Sequence, residues 1–158
     1  AEIRLRDWAK RQKIPLVILR VPGIYAADRL PLQRLQAGTP ALNDEDDGYT
    51  NHIHADDLAR AIIHALRQLN GIRIYNVVDD SRMKMSEYFD LVADAVGLPR
   101  PPRIARSEAE GRISPAMLSF MDESRRLANL RLHKELGLRL HYPTVGAALA
   151  GLKPANAR

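Results

Sequence analysis

Cysteine is absent from the 158 residues of this chain. That excludes disulfides and thiolate-held metals, and it fits a reducing compartment. Aromatic residues make up only 5% of the sequence, too few for the base-stacking platforms of single-strand nucleic-acid binders. No apolar run reaches membrane-spanning length, and the N-terminus lacks the basic-then-apolar layout of a signal peptide. Nor does a Gly-x-Gly-x-x-Gly or looser glycine fingerprint occur, which removes the usual phosphate cradle at a helix N-terminus.

What is present reads as a soluble, cytoplasmic chain long enough for a substantial core. A net charge of +5 and a pI near 9.8 raise nucleic acid as a partner, through salt-dependent binding. The arginines are scattered, however, and the one dense charge run, Asp44-Glu45-Asp46-Asp47, is acidic. A basic solvated surface is the better reading, with neither nucleic acid nor membrane as partner.

Residues 1–13 set Ile3, Leu5, Trp8 and Ala9 among charges as an imperfect amphipathic helix that Pro15 ends. A helix already in progress at Ala1 points to an expression boundary, a cleavage product or half of a longer gene product. The run 16–21 is apolar on both faces, like a strand inside a parallel sheet, and stops at Pro22-Gly23. Ligands of open α/β sheets sit beyond the carboxyl ends of strands, so this turn and the Ile24-Tyr25 after it are the first candidate site. Residues 26–50 look irregular, with a short helix over Leu30–Gln36 ending at Gly38 and an exposed acidic loop. Asp56 or Asp57 then caps a helix whose stripe is Leu58, Ala61, Ile62, Ala65, Leu66 and Leu69, stopped by Asn70-Gly71. A strand over 72–78 follows. Ser86 caps the next helix, with Phe89, Val92, Ala93 and Val96 on one face and Gly97 at its end. Residues 99–106, with three prolines, read as a linker. Ser114-Pro115, Asn129 and Thr144 open three later helices, and Gly137 closes the second. Early alternation of helix and strand with helices dominating late gives an α/β class.

Four stretches, in order, resemble motifs of the extended and atypical short-chain dehydrogenase/reductases, the NAD-dependent epimerase/dehydratase group. Arg20-Val21-Pro22-Gly23-Ile24-Tyr25-Ala26 resembles the family's Arg-Pro-x-Asn-Val-Tyr-Gly. Asn51-His52-Ile53-His54-Ala55-Asp56-Asp57-Leu58-Ala59 is similar to its Asp-x-Ile-His-Val-Asp-Asp-Leu-Ala, and Tyr75-Asn76-Val77-Val78-Asp79 to its Tyr-Asn-Val-x-Asp. Ser124 to Gly137 matches a Ser-Arg-Arg-x-x-Asn-x-Arg-Leu…Leu-Gly segment. The resemblance implies the C-terminal part of a Rossmann-like doubly wound fold with a small, mainly helical substrate-side lobe. Residues 1–98 would hold the sheet remnant with inserted lobe segments, 99–152 the helical lobe, and 153–158 a disordered tail. It implies NAD or NADP in the complete protein, with Pro22, Gly23, Ile24 and Tyr25 beside the nicotinamide. Thr50, His52, Arg82 and Arg125 would face a small-molecule substrate, and 80–125 would form part of its lid. Related proteins pair through helices that include the one ending near residue 13, so a homodimer is implied too.

The family's Tyr-x-x-x-Lys pair, its general acid/base, has no counterpart: four positions after the five tyrosines stand Arg29, Ile53, Asp79, Val92 and Gly146. By the resemblance, that pair and the glycine loop belong to a Rossmann half preceding Ala1. No catalytic residue is therefore assigned, and the chain alone is expected not to turn over substrate and to bind dinucleotide poorly if at all. Gly23 and Thr50 stand where sugar-nucleotide members carry asparagine and a phosphate-binding arginine, which argues against a diphosphate substrate at those positions. Arg82, Lys84, Arg125 and Arg126 are the other candidate anion contacts.

Other readings stand beside these. Pro22-Gly23 is also an ordinary strand-end turn, and Tyr25 an ordinary half-buried aromatic. His52 and His54 share a strand face, but a zinc site needs a third ligand, and a structural role for His54 before the helix is favoured. Asp56 and Asp57 as a carboxylate acid/base pair yield to capping. Met83, Met85, Met117 and Met121 read as core or cleft filler. A stand-alone interaction module derived from the same fold is the alternative function, since sheet strands with open edges need covering.

Overall fold

The computed structural model describes residues 1–152, and the tail expected at 153–158 lies outside them. Helix α1 (Glu2–Gln12) ends where Lys13 turns left-handed at φ 54° and Ile14 N–H bonds the Ala9 carbonyl. The chain then enters β1 (Leu16–Arg20), which lies parallel to β6 (Ile72–Asn76), with Leu16 opposite Ile72 and Arg20 opposite Asn76. The expectation of a strand buried on both faces is corrected, since four of the five β1 residues are only half-buried. Among the described residues β6 covers one edge of β1 and no strand covers the other. A second parallel pair joins β2 (Gly23–Tyr25) to β5 (His52–His54).

The stretch 26–50 is more ordered than its composition implies. After α2 (Leu32–Gln36), β3 (Ala41–Leu42) pairs parallel with β8 (Arg103–Ile104), so the proline-rich 99–106 contains a strand and is no linker. Pro101 and Pro102 have no N–H to donate, but the Pro102 carbonyl accepts from Ala41 N–H and the Ile104 carbonyl from Asn43 N–H, both at 2.9 Å. A short antiparallel pair joins β4 (Tyr49–Thr50) to β7 (Met83–Lys84). The acidic run is a solvated loop only in its first half, where Asp44 and Glu45 are exposed. Asp47 is buried and accepts from the N–H groups of Gly48 (2.9 Å) and Ser86 (2.7 Å), and Asp46 accepts from Arg106 N–H at 2.8 Å.

That arrangement overturns Ser86 as a cap. Ser86 lies inside α4 (Met85–Val96), its N–H satisfied by Asp47, while the Glu87 carboxylate accepts from Lys84 N–H at 2.7 Å. Likewise α3 (Ala55–Arg67) is capped by the His54 ring, whose Nδ1 accepts from Asp56 N–H at 3.2 Å. Asp57 is instead wholly buried and holds the chain at 141–142, its oxygens accepting from the N–H groups of His141 (2.9 Å) and Tyr142 (2.8 Å). The apolar stripe of α3 is split. Ala61 and Ala65 face the core, while Ile62, Leu66 and Leu69 are exposed and the helix stops before Asn70-Gly71.

Three later helices complete the chain: α5 (Pro115–Asp122), α6 (Leu130–Lys134) and α7 (Val145–Leu149). Ser114 Oγ and Thr144 Oγ1 cap the first and third by accepting from Met117 and Ala147 N–H. Asn129 precedes α6 but sends its side chain elsewhere, as described below. Two cores result. Ile53, Ala61, Tyr75 and Val77 pack with Leu132, Leu136 and Leu138 beside the sheet, and Leu42, Phe89, Val92, Ile104, Ile113 and Val145 form the other. Each side chain the size of Leu132 or Phe89 that leaves water completely stabilises the fold by about 1.5–3 kcal/mol.

Candidate functional site

Because β1 and β6 run parallel, their carboxyl ends, Pro22 and Val77–Asp80, emerge on the same side. Residues 124–129 lie across these ends, tied down mostly by side chains. Asn51 substitutes for a strand: its Nδ2 donates to the Arg125 carbonyl at 2.8 Å and its Oδ1 accepts from Leu127 N–H at 2.9 Å. Ser124 Oγ accepts from Tyr49 N–H at 3.0 Å, and Asn76 Nδ2 donates to the Ala128 carbonyl at 3.1 Å. Asn129 Nδ2 bonds the Val78 carbonyl (3.0 Å) and Asp80 Oδ1 (2.8 Å). Gly48 permits the approach from the α5 side, since a Cβ there would collide with the Met121 carbonyl oxygen.

Two clefts flank Tyr49–Asn51. One, of about 630 Å³, is bordered by Arg20, Pro22, Thr50 and Arg125. The other, of about 500 Å³, is bordered by Thr50, Asp79, Arg82, Arg126 and Asn129. Behind them lies a buried aromatic and imidazole cluster. Tyr25, only 2% exposed, donates its hydroxyl to Asp79 Oδ2 at 3.3 Å, and Asp79 Oδ1 accepts from Ser81 N–H at 2.9 Å. Burial pushes the Asp79 carboxyl up to about 6 against the opposing pull of the Ser81 hydrogen bonds. The Tyr25 hydroxyl is held well above its ordinary range, first by burial and then by the Asp79 charge. His52 stacks on Tyr88 with ring centroids 4.1 Å apart, and burial pushes its imidazole down to about 4, so it stays neutral at pH 7. His52 Nδ1 and Thr50 Oγ1 are both buried without a hydrogen-bond partner among the described residues. His54 sits between Tyr25 and Tyr142, centroids 5.3 and 3.8 Å away.

The structure thus brings Pro22, Thr50 and Arg125 to one cleft and Thr50 and Arg82 to the other, with His52 behind the wall. A Cβ on Gly23 would come within 3.1 Å of His52 Cδ2, so a larger residue there would press on that ring. Ile24 is 37% exposed, whereas Tyr25 is internal. Lys84 is committed to Asp44 at 2.8 Å, and Arg125 lies 3.4 Å from Glu123. No group of three or more His, Asp or Glu among the described residues is arranged to hold a metal. Composition gave no hint of Asn51, Asn76, Asn129 and Asp79 as organising residues, although all four lie within the motif stretches quoted above.

Val21 and Ile24, both more than a third exposed on either side of Pro22-Gly23, offer an apolar rest for a flat ring at a strand end. No cradle of backbone N–H groups for a pyrophosphate accompanies them among the described residues.

No protein-family model matches the chain, and no curated protein does. Solved structures do. A functionally unknown conserved protein from Silicibacter pomeroyi superposes with a TM-score of 0.79 at 28% identity, over 92% of this chain and 51% of that one. A human epimerase family protein solved with NADPH gives 0.68 at 19% identity, over 84% and 46%. A dTDP-glucose 4,6-dehydratase from Bacillus anthracis, solved in complex with NAD, gives 0.67 at 13% identity, over 94% and 46%. The chain spans about half the length of each. No helix among the described residues is long and apolar enough to cross a membrane.

Proposed function

Given that the chain has the fold of the C-terminal half of NAD-dependent epimerase/dehydratase proteins, we propose that it supplies the substrate side of an NAD(P)-dependent oxidoreductase or epimerase. The observation that carries this reading is the half-length match together with the open edge of β1, where a parallel sheet would continue. A Rossmann half joined at that edge brings the glycine loop, the pyrophosphate site and the acid/base pair that this sequence lacks. The neighbours solved with NADPH and with NAD support a nicotinamide cofactor for the complete cytoplasmic protein.

In that assembly Pro22, Gly23 and Ile24 border the nicotinamide ring, with Tyr25 supporting the turn from beneath. When bound, the nicotinamide supplies hydride transfer. Thr50, Arg82 and Arg125 orient the small-molecule substrate at the clefts, and His52 backs the Thr50 strand as a neutral stack on Tyr88. Residues 80–125 and the strap at 124–129 exclude water from the strand ends. The helical stretch 99–152 acts as the substrate-side lobe over the sheet remnant.

The test is the mass of the native polypeptide in its own cells, followed by dinucleotide titration of that product. A product about twice this mass that binds NAD or NADPH is the expected result, since the neighbours are about twice as long. A product ending near Ala1 that binds no dinucleotide overturns the reading. It would favour a stand-alone interaction module that uses the same open β1 edge to pair with another chain.

A further inference from the structure

We propose that the outer flank of α3 is a docking surface for one helix of the Rossmann half, which lies along it with an uncharged aliphatic stripe. This docking rests on the substrate-side reading and adds to it a second contact, separate from the edge of β1. The polar flank of α3 is already used within the chain. Asp57 holds residues 141–142, Arg60 Nη1 donates to the Arg139 carbonyl at 2.7 Å, and Gln68 Nε2 donates to the Leu136 carbonyl at 3.1 Å. His64 Nδ1 lies 3.1 Å from that same Leu136 oxygen. The other flank, with Leu69 just past its end, carries Leu58, Ala59, Ile62, Ile63 and Leu66, an arc of about 140° that holds no charge. Only Leu58 is half-buried, packed with Val17 and Leu19 against the core beside the sheet. The others are exposed, Leu66 by 65%. A surface helix ordinarily buries its apolar flank and shows its polar one to water, and α3 does much of the reverse. Single exposed leucines need no partner, but a contiguous stripe of them marks a contact.

The occupant follows from where the stripe lies. It adjoins Val17 and Leu19 of β1, the strand whose second edge no described strand covers. The solved neighbours run to about twice the length of this chain. Parallel strands are joined by crossover helices that lie on the faces of the sheet, so a half that adds a strand at β1 brings helices with it. A second copy related by a twofold axis would instead set β1 antiparallel to β1 and break the parallel order of β1 and β6.

The geometry of α3 suits a helix as partner. It is 13 residues long, about 20 Å, and Leu58, Ile62 and Leu66 form a ridge of residues four apart that can interlock with a second helix. Asp56 and Arg67 stand at the rim of the stripe and set its limit. A charge on the partner opposite Ile62 or Leu66 would be buried without a counter-charge, which fixes the partner stripe as aliphatic or small.

The experiment is carbene footprinting of the native polypeptide, read by mass spectrometry at Ile62, Ile63 and Leu66 and normalised to the urea-unfolded product. Native mass spectrometry gives its mass and oligomeric state. We expect labelling at these three residues to fall to the level of buried Ala65 in a monomeric product, at every protein concentration. Leu66→Lys should lower the melting temperature of that product by about 5 °C or more, whereas Arg67→Gln, one position away, leaves it unchanged. Labelling near the unfolded level in a product of twice this mass that binds dinucleotide overturns the docking and leaves the substrate-side reading standing. Protection found only in a dimer and lost on dilution assigns the stripe to a second copy and overturns the docking too. A product ending near Ala1 that binds no dinucleotide refutes the substrate-side reading, and the docking with it.

Discussion

Asp57→Ala is expected to be the most damaging single change outside the apolar cores. The carboxylate is wholly buried and meets three donors: His141 N–H at 2.9 Å, Tyr142 N–H at 2.8 Å and Arg60 Nη1 at 2.7 Å. Alanine leaves both main-chain groups without acceptors, and each unsatisfied buried donor costs about 1–3 kcal/mol. Arg60 adds little, because it is partly exposed and keeps the Arg139 carbonyl at 2.7 Å. The sum is about 2–6 kcal/mol, a range that brackets the cost of breaking one side of a buried ionic network. For a chain of this length, at about 2–4 °C per kcal/mol, that lowers the melting temperature by roughly 4–24 °C. Urea unfolding followed by circular dichroism measures it, and the slope with denaturant should be unchanged if the native state stays compact. Asp57→Asn keeps one acceptor and should lose about half as much. A loss below 1 kcal/mol for the alanine variant would refute the claim that this residue, rather than apolar contact alone, fixes the segment that lays Tyr142 on His54.

Three further changes test other parts of the account. Asp79 has a folded pKa of about 6, above its ordinary 3.8, so its favourable contribution is complete below pH 3.8 and is lost as pH rises through 6. Asp79→Asn removes that loss, and its stability relative to the parent should improve by about 2–3 kcal/mol between pH 4 and pH 7; a difference independent of pH would contradict the assignment. His52 behaves oppositely: depressed from 6.5 to about 4, it contributes fully above pH 6.5 and the contribution is lost as pH falls through 4. His52→Phe keeps the stack on Tyr88 and removes an orphaned nitrogen, so it should gain about 1–2 kcal/mol at pH 7 and more at pH 4.5; a variant less stable than the parent at pH 4.5 refutes this. Gly48→Ala drives a Cβ into the Met121 carbonyl and should cost about 1–3 kcal/mol, with faster amide exchange at the C-terminal end of α5 and in the strap; unaltered exchange there would count against the close approach.

Much of the frame was legible in the sequence, because long elements carry their own signals. The periodicity of α3 and α4, the apolar run of β1, the caps at Ser114 and Thr144 and the glycine at 97 are local features read within one element. Where the reading failed, the decisive partner was remote. Two-residue strands such as Ala41–Leu42 and Arg103–Ile104 carry no period of their own and exist only as a pair. Asp56, Asp57 and Ser86 have good capping chemistry, yet His54 and Asp47 sit where the open N–H groups are, and Asp57 was claimed by residues 141–142. The same holds for the site. Arg82, Lys84, Arg125 and Arg126 are equivalent as letters, and only the positions of Asp44 and Glu123 separate those that are already engaged from those that are free.

The strand pairings also bear on how the chain reaches this state. Leu16 pairs with Ile72, Gly23 with His52, Ala41 with Arg103 and Tyr49 with Lys84, and none of these pairs is a hairpin. Every sheet contact therefore closes a long loop before any of its enthalpy is returned, which places folding toward the slow end for a domain of this size. Helices α3 and α4 can form early by themselves, but the strands must wait for them to dock. Until β1 finds β6, an apolar strand with two open edges is on offer to any other chain, so yield on refolding should fall steeply with protein concentration.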